Sequence, residues 1–102
     1  MAMEYNVVIL NKKEMFGKIK IFEDYTDMGD SIVVIKKTDP MITPFILSAK
    51  GLIIEIGGNL SHSAVLVREL GIPCVRLENA TTVLKNGQNV RLDVENSKLY
   101  VD

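Results

Sequence analysis

The residues able to do chemistry in this 102-residue chain are few, because it has one histidine and one cysteine. The histidine sits in the run Gly57-Gly58-Asn59-Leu60-Ser61-His62-Ser63-Ala64. Paired glycines let a backbone approach a ligand closely. Ser61 and Ser63 add hydroxyl donors on either side of His62. The stretch from Ser61 to Leu70 reads as a helix, with Ser61 as N-cap, Gly71 as the stop and Pro73 beyond it. A helix start offers unpaired N–H groups and a partial positive charge, which together suit an anion, most often phosphate. A neutral imidazole placed there can attack phosphorus and become a phosphohistidine. The same helix end disfavours imidazolium, so it keeps the ring neutral and nucleophilic. The candidate site is therefore His62 as nucleophile, with Gly57, Gly58, Ser61 and Ser63 on the phosphate side. The local pattern leaves plainer roles open: a solvated histidine, turn glycines and a capping serine.

The helix must hold this group at its tip. At about 100° per residue, Leu66, Val67 and Leu70 fall in one sector and form the expected core face, with His62 at its edge. Arg68 and Glu69 read as a solvated helix face. Glu69 returns near the azimuth of His62 but about 10 Å further along the axis, too far for a direct bond. Cys74 reads as a small buried apolar residue.

Strand-like runs dominate the rest. Tyr5–Leu10 is a short β-branched run, and Gly17–Phe22 alternates lysine with isoleucine at the period of a half-buried strand. The segment from Asp24 to Asp30 reads as a turn. Ser31–Ile35 is a nearly continuous apolar run, expected in the centre of a sheet. Thr43-Pro44 signals a helix start, Phe45 to Lys50 a short helix and Gly51 its C′ glycine. Leu52–Ile56, Cys74–Arg76 and Thr81–Leu84 follow as strand-like segments, and Lys85-Asn86-Gly87-Gln88 as a turn. Asn89–Val94 and Lys98–Val101 then form a hairpin around Glu95-Asn96-Ser97. The class is α/β: a β-rich sandwich or partly open sheet with two central helices, in one domain spanning residues 1–102.

Composition narrows the function. The net charge is −1 with Lys and Arg scattered, which argues against the basic stripe of a nucleic-acid binder. No apolar run approaches the roughly 20 residues needed to cross a bilayer, and Met1–Glu14 lacks the pattern of a signal peptide. A lone cysteine suits a reducing cytosol, so a cytoplasmic place is expected. One His and one Cys do not make a structural zinc site.

The stretch Gly51-Leu-Ile-Ile-Glu-Ile-Gly-Gly-Asn-Leu-Ser-His-Ser-Ala-Val-Leu-Val-Arg-Glu-Leu-Gly-Ile-Pro-Cys-Val75 resembles the phosphohistidine signature of the PEP-utilising enzyme mobile domain. That family includes phosphoenolpyruvate synthase, pyruvate phosphate dikinase, enzyme I of the sugar phosphotransferase system and rifampicin phosphotransferase. Phe16–Ile21, Asp30–Ile35 and Asn79–Asp102 resemble its flanking strands, so the likeness covers about residues 15 to 102. Thr43 matches the family's Thr-x-Pro element only loosely.

The resemblance implies a swivelling β/β/α fold and a phosphocarrier function. It implies that His62 relays a phosphoryl group between an ATP-grasp nucleotide-binding site and a barrel for phosphoenolpyruvate, pyruvate or another acceptor. Those partners lie on other domains or subunits. It implies no cofactor on this domain itself, with ATP, Mg and phosphoenolpyruvate at the partners. Leu60 stands where the family often has Thr, a position used for regulation in plant-type dikinases. With no ATP-binding loop and no barrel of its own, the chain is expected to be an excised domain or a free-standing subunit. A swivel-fold interaction module and a plain anion- or nucleotide-binding domain are the alternative readings.

Overall fold

A computed structural model of the chain describes residues 3–22, 29–37, 43–57 and 62–102 and, of Thr43, Phe45, His62 and Ser63, the backbone. The turn expected at 24–30 and the break expected at 39–44 lie largely outside the described residues.

The apolar runs become strands because their β-branched residues pack on two buried faces. The strands are β1 (Met3–Asn6), β2 (Val8–Asn11), β3 (Phe16–Ile21), β4 (Ile32–Ile35), β5 (Gly51–Ile54), β6 (Cys74–Arg76), β7 (Asn89–Asp93) and β8 (Lys98–Val101). The helices are α1 (Thr43–Ile46), α2 (His62–Leu70) and α3 (Ala80–Val83). One sheet of eight strands runs in the order β1-β8-β7-β3-β4-β5-β6-β2. Strands β3, β4, β5 and β6 are parallel to one another, while β7, β8, β1 and β2 pair antiparallel.

Every residue of β4 and of β5 is buried, as a parallel strand covered on both faces requires. Alternate side chains enter two separate cores. Ile32, Val34 and Ile53 join Leu84, Val90, Leu92, Leu99 and Val101 on one face. Val33, Ile35, Leu52 and Ile54 join Ile46, Ala64, Val67 and Cys74 beneath α1 and α2 on the other. Cys74 is buried as expected, and burial pushes its thiol up to about 12, against a weaker opposing pull from Arg68.

Three readings of the sequence change. The run Tyr5–Leu10 is two strands, since β1 pairs with β8 and β2 with β6 at opposite ends of the sheet order. Only Val7 separates them, so the chain itself joins the two ends and leaves the sheet nearly closed. Thr81–Val83 is helical, not extended, for a reason given below. Gly51 is the first residue of β5, not a C′ glycine, because α1 already stops at Ile46. Space is what demands glycine there: a Cβ would lie 2.5 Å from Sδ and 2.7 Å from Cγ of the buried Met15.

This crowding makes a measurable prediction. Gly51→Ala should destabilise the fold by about 1–3 kcal/mol, and the loss should shrink when Met15 is also cut to Ala. Additive losses in that double-mutant cycle, read by denaturant unfolding, would show that Met15 is not the obstacle. The remaining turns match expectation: Gly71 (φ +71) ends α2, Gly87 (φ +87) lies in the 85–88 turn, and β7 and β8 form the C-terminal hairpin.

Candidate functional site

The site is built where β5 leaves the sheet and α2 begins. Beyond β5, the backbone keeps its hold on the neighbouring chain for two residues. Glu55 N–H donates to the Ile35 carbonyl at 3.0 Å, and Ile56 N–H to the Lys36 carbonyl at 2.8 Å. Gly57 follows with φ +149, a conformation L side chains rarely adopt, so glycine is required there. Gly58 and Ser61 lie outside the described residues. His62 and Ser63 are the first two residues of α2. The helix expected to begin near Ser61, with His62 in its first turn, starts at His62.

Helix α2 rests on the sheet through Ala64 and Val67, both fully buried, with Leu66 half-buried. Leu70, expected on the core face, is 41% exposed. The helix meets the sheet nearer its N-terminal half, so Ala64 takes the place expected for Leu70. The far end is clamped from β2. Asn11 Nδ2 donates to the Val67 carbonyl at 3.2 Å and to the Ile72 carbonyl at 2.7 Å. Arg68 Nε donates in return to the Leu10 carbonyl at 3.0 Å. A register shift between Ile9 and Asn11 in the β2–β6 pairing lies at this clamp. The Val67 carbonyl also accepts from the Ile72 N–H at 2.9 Å, so the Asn11 amide reinforces a bond already made at the end of the helix. Arg68 is therefore exposed, as expected of a solvated face, but also anchored.

Two further side chains hold the exit of β5. Arg76 Nη1 donates to the Gly57 carbonyl at 3.2 Å. Glu55 Oε1 accepts from Thr81 N–H at 2.9 Å and from Thr81 Oγ1 at 2.6 Å. Asn79, in the left-handed region, precedes α3 without a side-chain cap bond, so the Glu55 carboxylate serves that helix start instead. This is why β-branched Thr81–Val83 turn helical: a distant carboxylate meets the amide that a strand would have used elsewhere. Glu55, Ile56, Gly57, Arg76 and Glu78 line an open cleft of about 430 Å³ beside the turn. None of these contacts was legible in the sequence, where Asn11 stands just past the Tyr5–Leu10 run, Arg76 ends a strand-like segment, and their partners lie 56, 61 and 19 positions away.

The Thr81 hydrogen bonds, the side-chain one first, hold the Glu55 carboxyl below the usual carboxylate range; Lys36 adds to this, and desolvation opposes it. A carboxyl lowered by folding lends stability above its unfolded pKa and loses it as pH falls through the folded value. Wild type should therefore exceed Glu55→Gln in denaturant midpoint at neutral pH, and the gap should close below about pH 4. A gap that stays constant from neutral to acid pH would contradict this account.

Among the described residues no group of three or more His, Cys, Asp and Glu side chains could hold a metal ion. No helix among them is long and apolar enough to cross a membrane.

Comparison with known proteins agrees with this architecture. The sequence is 45% identical over 71 residues to a rifampicin phosphotransferase of Bacillus cereus, covering 69% of this chain and 8% of that protein. It is 39% identical over 90 residues to a probable phosphoenolpyruvate synthase of Methanothermobacter thermautotrophicus, covering 82% and 13%. The chain thus spans only a small part of these curated relatives. Among solved structures it is similar to Enzyme I, with a TM-score of 0.60 and 28% identity over 72% of this chain and 31% of that one. It shares its fold with aconitase X of Thermococcus kodakaraensis, with a TM-score of 0.70 at 12% identity, over 98% of both chains. The profile of the PEP-utilising enzyme mobile domain matches residues 28–97, a stretch that holds the β5 exit, the whole of α2 and strands β4, β5 and β6. The chain belongs to the PEP-utilising enzyme mobile domain family.

Proposed function

We propose that this chain is a phosphocarrier in which His62 accepts a phosphoryl group from one partner site and passes it to another. The observation that supports this most is the place of His62 as first residue of the nine-residue α2, behind a glycine that turns the chain out of the sheet. Aligned helix N–H groups there favour the charge that a phosphoryl group brings. Gly57, Gly58, Ser61 and Ser63 are the groups that would surround it. In the transfer, an imidazole nitrogen forms a bond to phosphorus while the donor's P–O bond breaks and its electron pair leaves on oxygen. The second transfer reverses this at the acceptor.

The relatives named as a phosphotransferase and a synthase acting on phosphoenolpyruvate fit such a carrier. The donor and acceptor sites, an ATP-grasp unit and a site for phosphoenolpyruvate, pyruvate or another acceptor, belong to partner domains or subunits, together with ATP and Mg. This domain needs no cofactor of its own for the relay.

The test is the chemistry of the label. Incubated with ATP or phosphoenolpyruvate and a cognate partner, the chain should gain one phosphoryl group that is lost in acid and stable in alkali. A label that survives acid, or one mapped to a serine, would overturn the proposal. A swivel-fold interaction module without covalent chemistry would instead take no label at all.

A further inference from the structure

We infer that Arg76 is a positioning residue for the phosphoryl site: its guanidinium sets the turn from which the His62 helix starts. This rests on the reading of His62 as phosphoryl acceptor.

Gly57 is the weak point of the site. Without a Cβ it has more backbone conformations open to it than any other residue, and its φ of +149 lies outside what neighbouring side chains would enforce. Up to Ile56 the chain is held by backbone hydrogen bonds to Ile35 and Lys36. Among the described residues, the Gly57 carbonyl is the last group before His62 that is bonded to the sheet, and its donor is Arg76. Beyond the turn, α2 is fixed again by the Asn11 and Arg68 clamp at its far end. Among the described residues, the side-chain bond nearest to His62 on its N-terminal side is that of Arg76 to Gly57, while α2 itself is seated by the buried Ala64 and Val67.

Arg76 is suited to act as a strut. Its backbone is paired on both sides, to Ile54 of β5 and to Val8 of β2. Leu77 N–H adds a bond to the Ile54 carbonyl at 2.9 Å. Arg76 as a residue is half-buried. Two carboxylates, Glu55 and Glu78, line the same cleft, yet among the described residues neither forms an ion pair with Arg76. Glu55 is turned away onto Thr81. The guanidinium instead spends its observed hydrogen bond on a neutral carbonyl at the turn. A surface arginine serving only solubility would gain more from a carboxylate.

The consequence is kinetic. Transfer to phosphorus needs the nucleophile within a narrow range of approach, and a misplacement of about 1 Å can slow such a step by up to about a hundredfold. The test uses phosphoramidate, a small donor that needs no partner. An imidazole nitrogen bonds to phosphorus, the P–N bond of phosphoramidate breaks, and ammonia leaves with the electron pair. Arg76→Met keeps the aliphatic stem and removes the donor; Arg76→Lys keeps the charge and changes the reach.

Wild type should be phosphorylated on His62. Arg76→Met should react about tenfold more slowly and Arg76→Lys at a rate in between, with melting temperatures close to wild type. The carbonyl ¹³C shift of Gly57 should move in Arg76→Met, which a residue of merely general stabilising value would not cause. A rate for Arg76→Met within about twofold of wild type would overturn the inference. So would a deficit that disappears at about 0.5 M salt, since that would mark long-range attraction of the donor rather than positioning. If Arg76→Met fails to fold, the lysine variant carries the same comparison. If wild type itself takes no label from any donor, the carrier reading fails, while an unmoved Gly57 carbonyl shift in Arg76→Met would separately sink the tether.

Discussion

Replacing His62 by glutamine is expected to lower phosphoryl uptake by at least about a thousandfold, because a carboxamide nitrogen has no lone pair free to attack phosphorus. Its cost to stability should be small. The helix is held elsewhere: Ala64 and Val67 are buried beneath it, and Asn11 and Arg68 clamp its far end. The melting temperature of His62→Gln should therefore stay within a few degrees of wild type. The two readouts must be taken together. Loss of labelling with an intact fold places the chemistry on the imidazole. Labelling that persists at a comparable rate would remove His62 from the mechanism, and would direct attention to the neighbouring hydroxyls of Ser61 and Ser63. The variant also separates the carrier from an interaction module, for which glutamine at this position should leave the function of the assembled system unchanged.

The second large effect is on stability. Ile53→Ala should cost about 3–4 kcal/mol. Ile53 is fully buried in β5, paired with Val34 of β4 on one side and Val75 of β6 on the other, both also fully buried. The three side chains form one layer across the parallel centre of the sheet, within one core cluster. A domain of this size has roughly 5–15 kcal/mol in total, so the variant should unfold at a much lower denaturant midpoint with little change in slope. Val65→Ala, on the 46% exposed outer face of α2, is the control and should change stability by less than about 0.5 kcal/mol. An Ile53→Ala loss below about 1 kcal/mol would mean that the two-faced burial of β5 is wrong.

Much of this architecture was legible in the residues. The β4 and β5 runs are continuously apolar, which only a strand buried on both faces explains. Gly71 and Gly87 could be read because turn chemistry is local: glycine enters the left-handed region at no steric cost, whatever lies around it. The helix behind His62 was legible for the same reason, since its stop residue Gly71 lies at its own end.

The misreadings share one cause. Tyr5–Leu10 looks like one strand, yet Val7 divides it, because the two halves find partners at opposite ends of the sheet. Thr81–Val83 has a strand's composition, yet a carboxylate 26 positions earlier caps it into a helix. Gly51 looks like a helix stop, yet it is small because Met15 lies against it. Each depends on a group distant in the chain, and composition carries no record of such a neighbour.

The same division applies to the site. Sequence by itself pointed to His62 as the proposed nucleophile and to the helix that begins with it, because imidazole chemistry and helix signals are properties of residues and their nearest neighbours. Only the tertiary structure decided what holds that helix and the strand exit before it: Asn11 and Leu10 at the far end of α2, Arg76 at Gly57 beyond β5. Those bonds join side chains to backbone carbonyls, and a carbonyl is the same atom in every residue. No pattern of residue types can announce which one a side chain will meet; only the folded path of the backbone brings the two together.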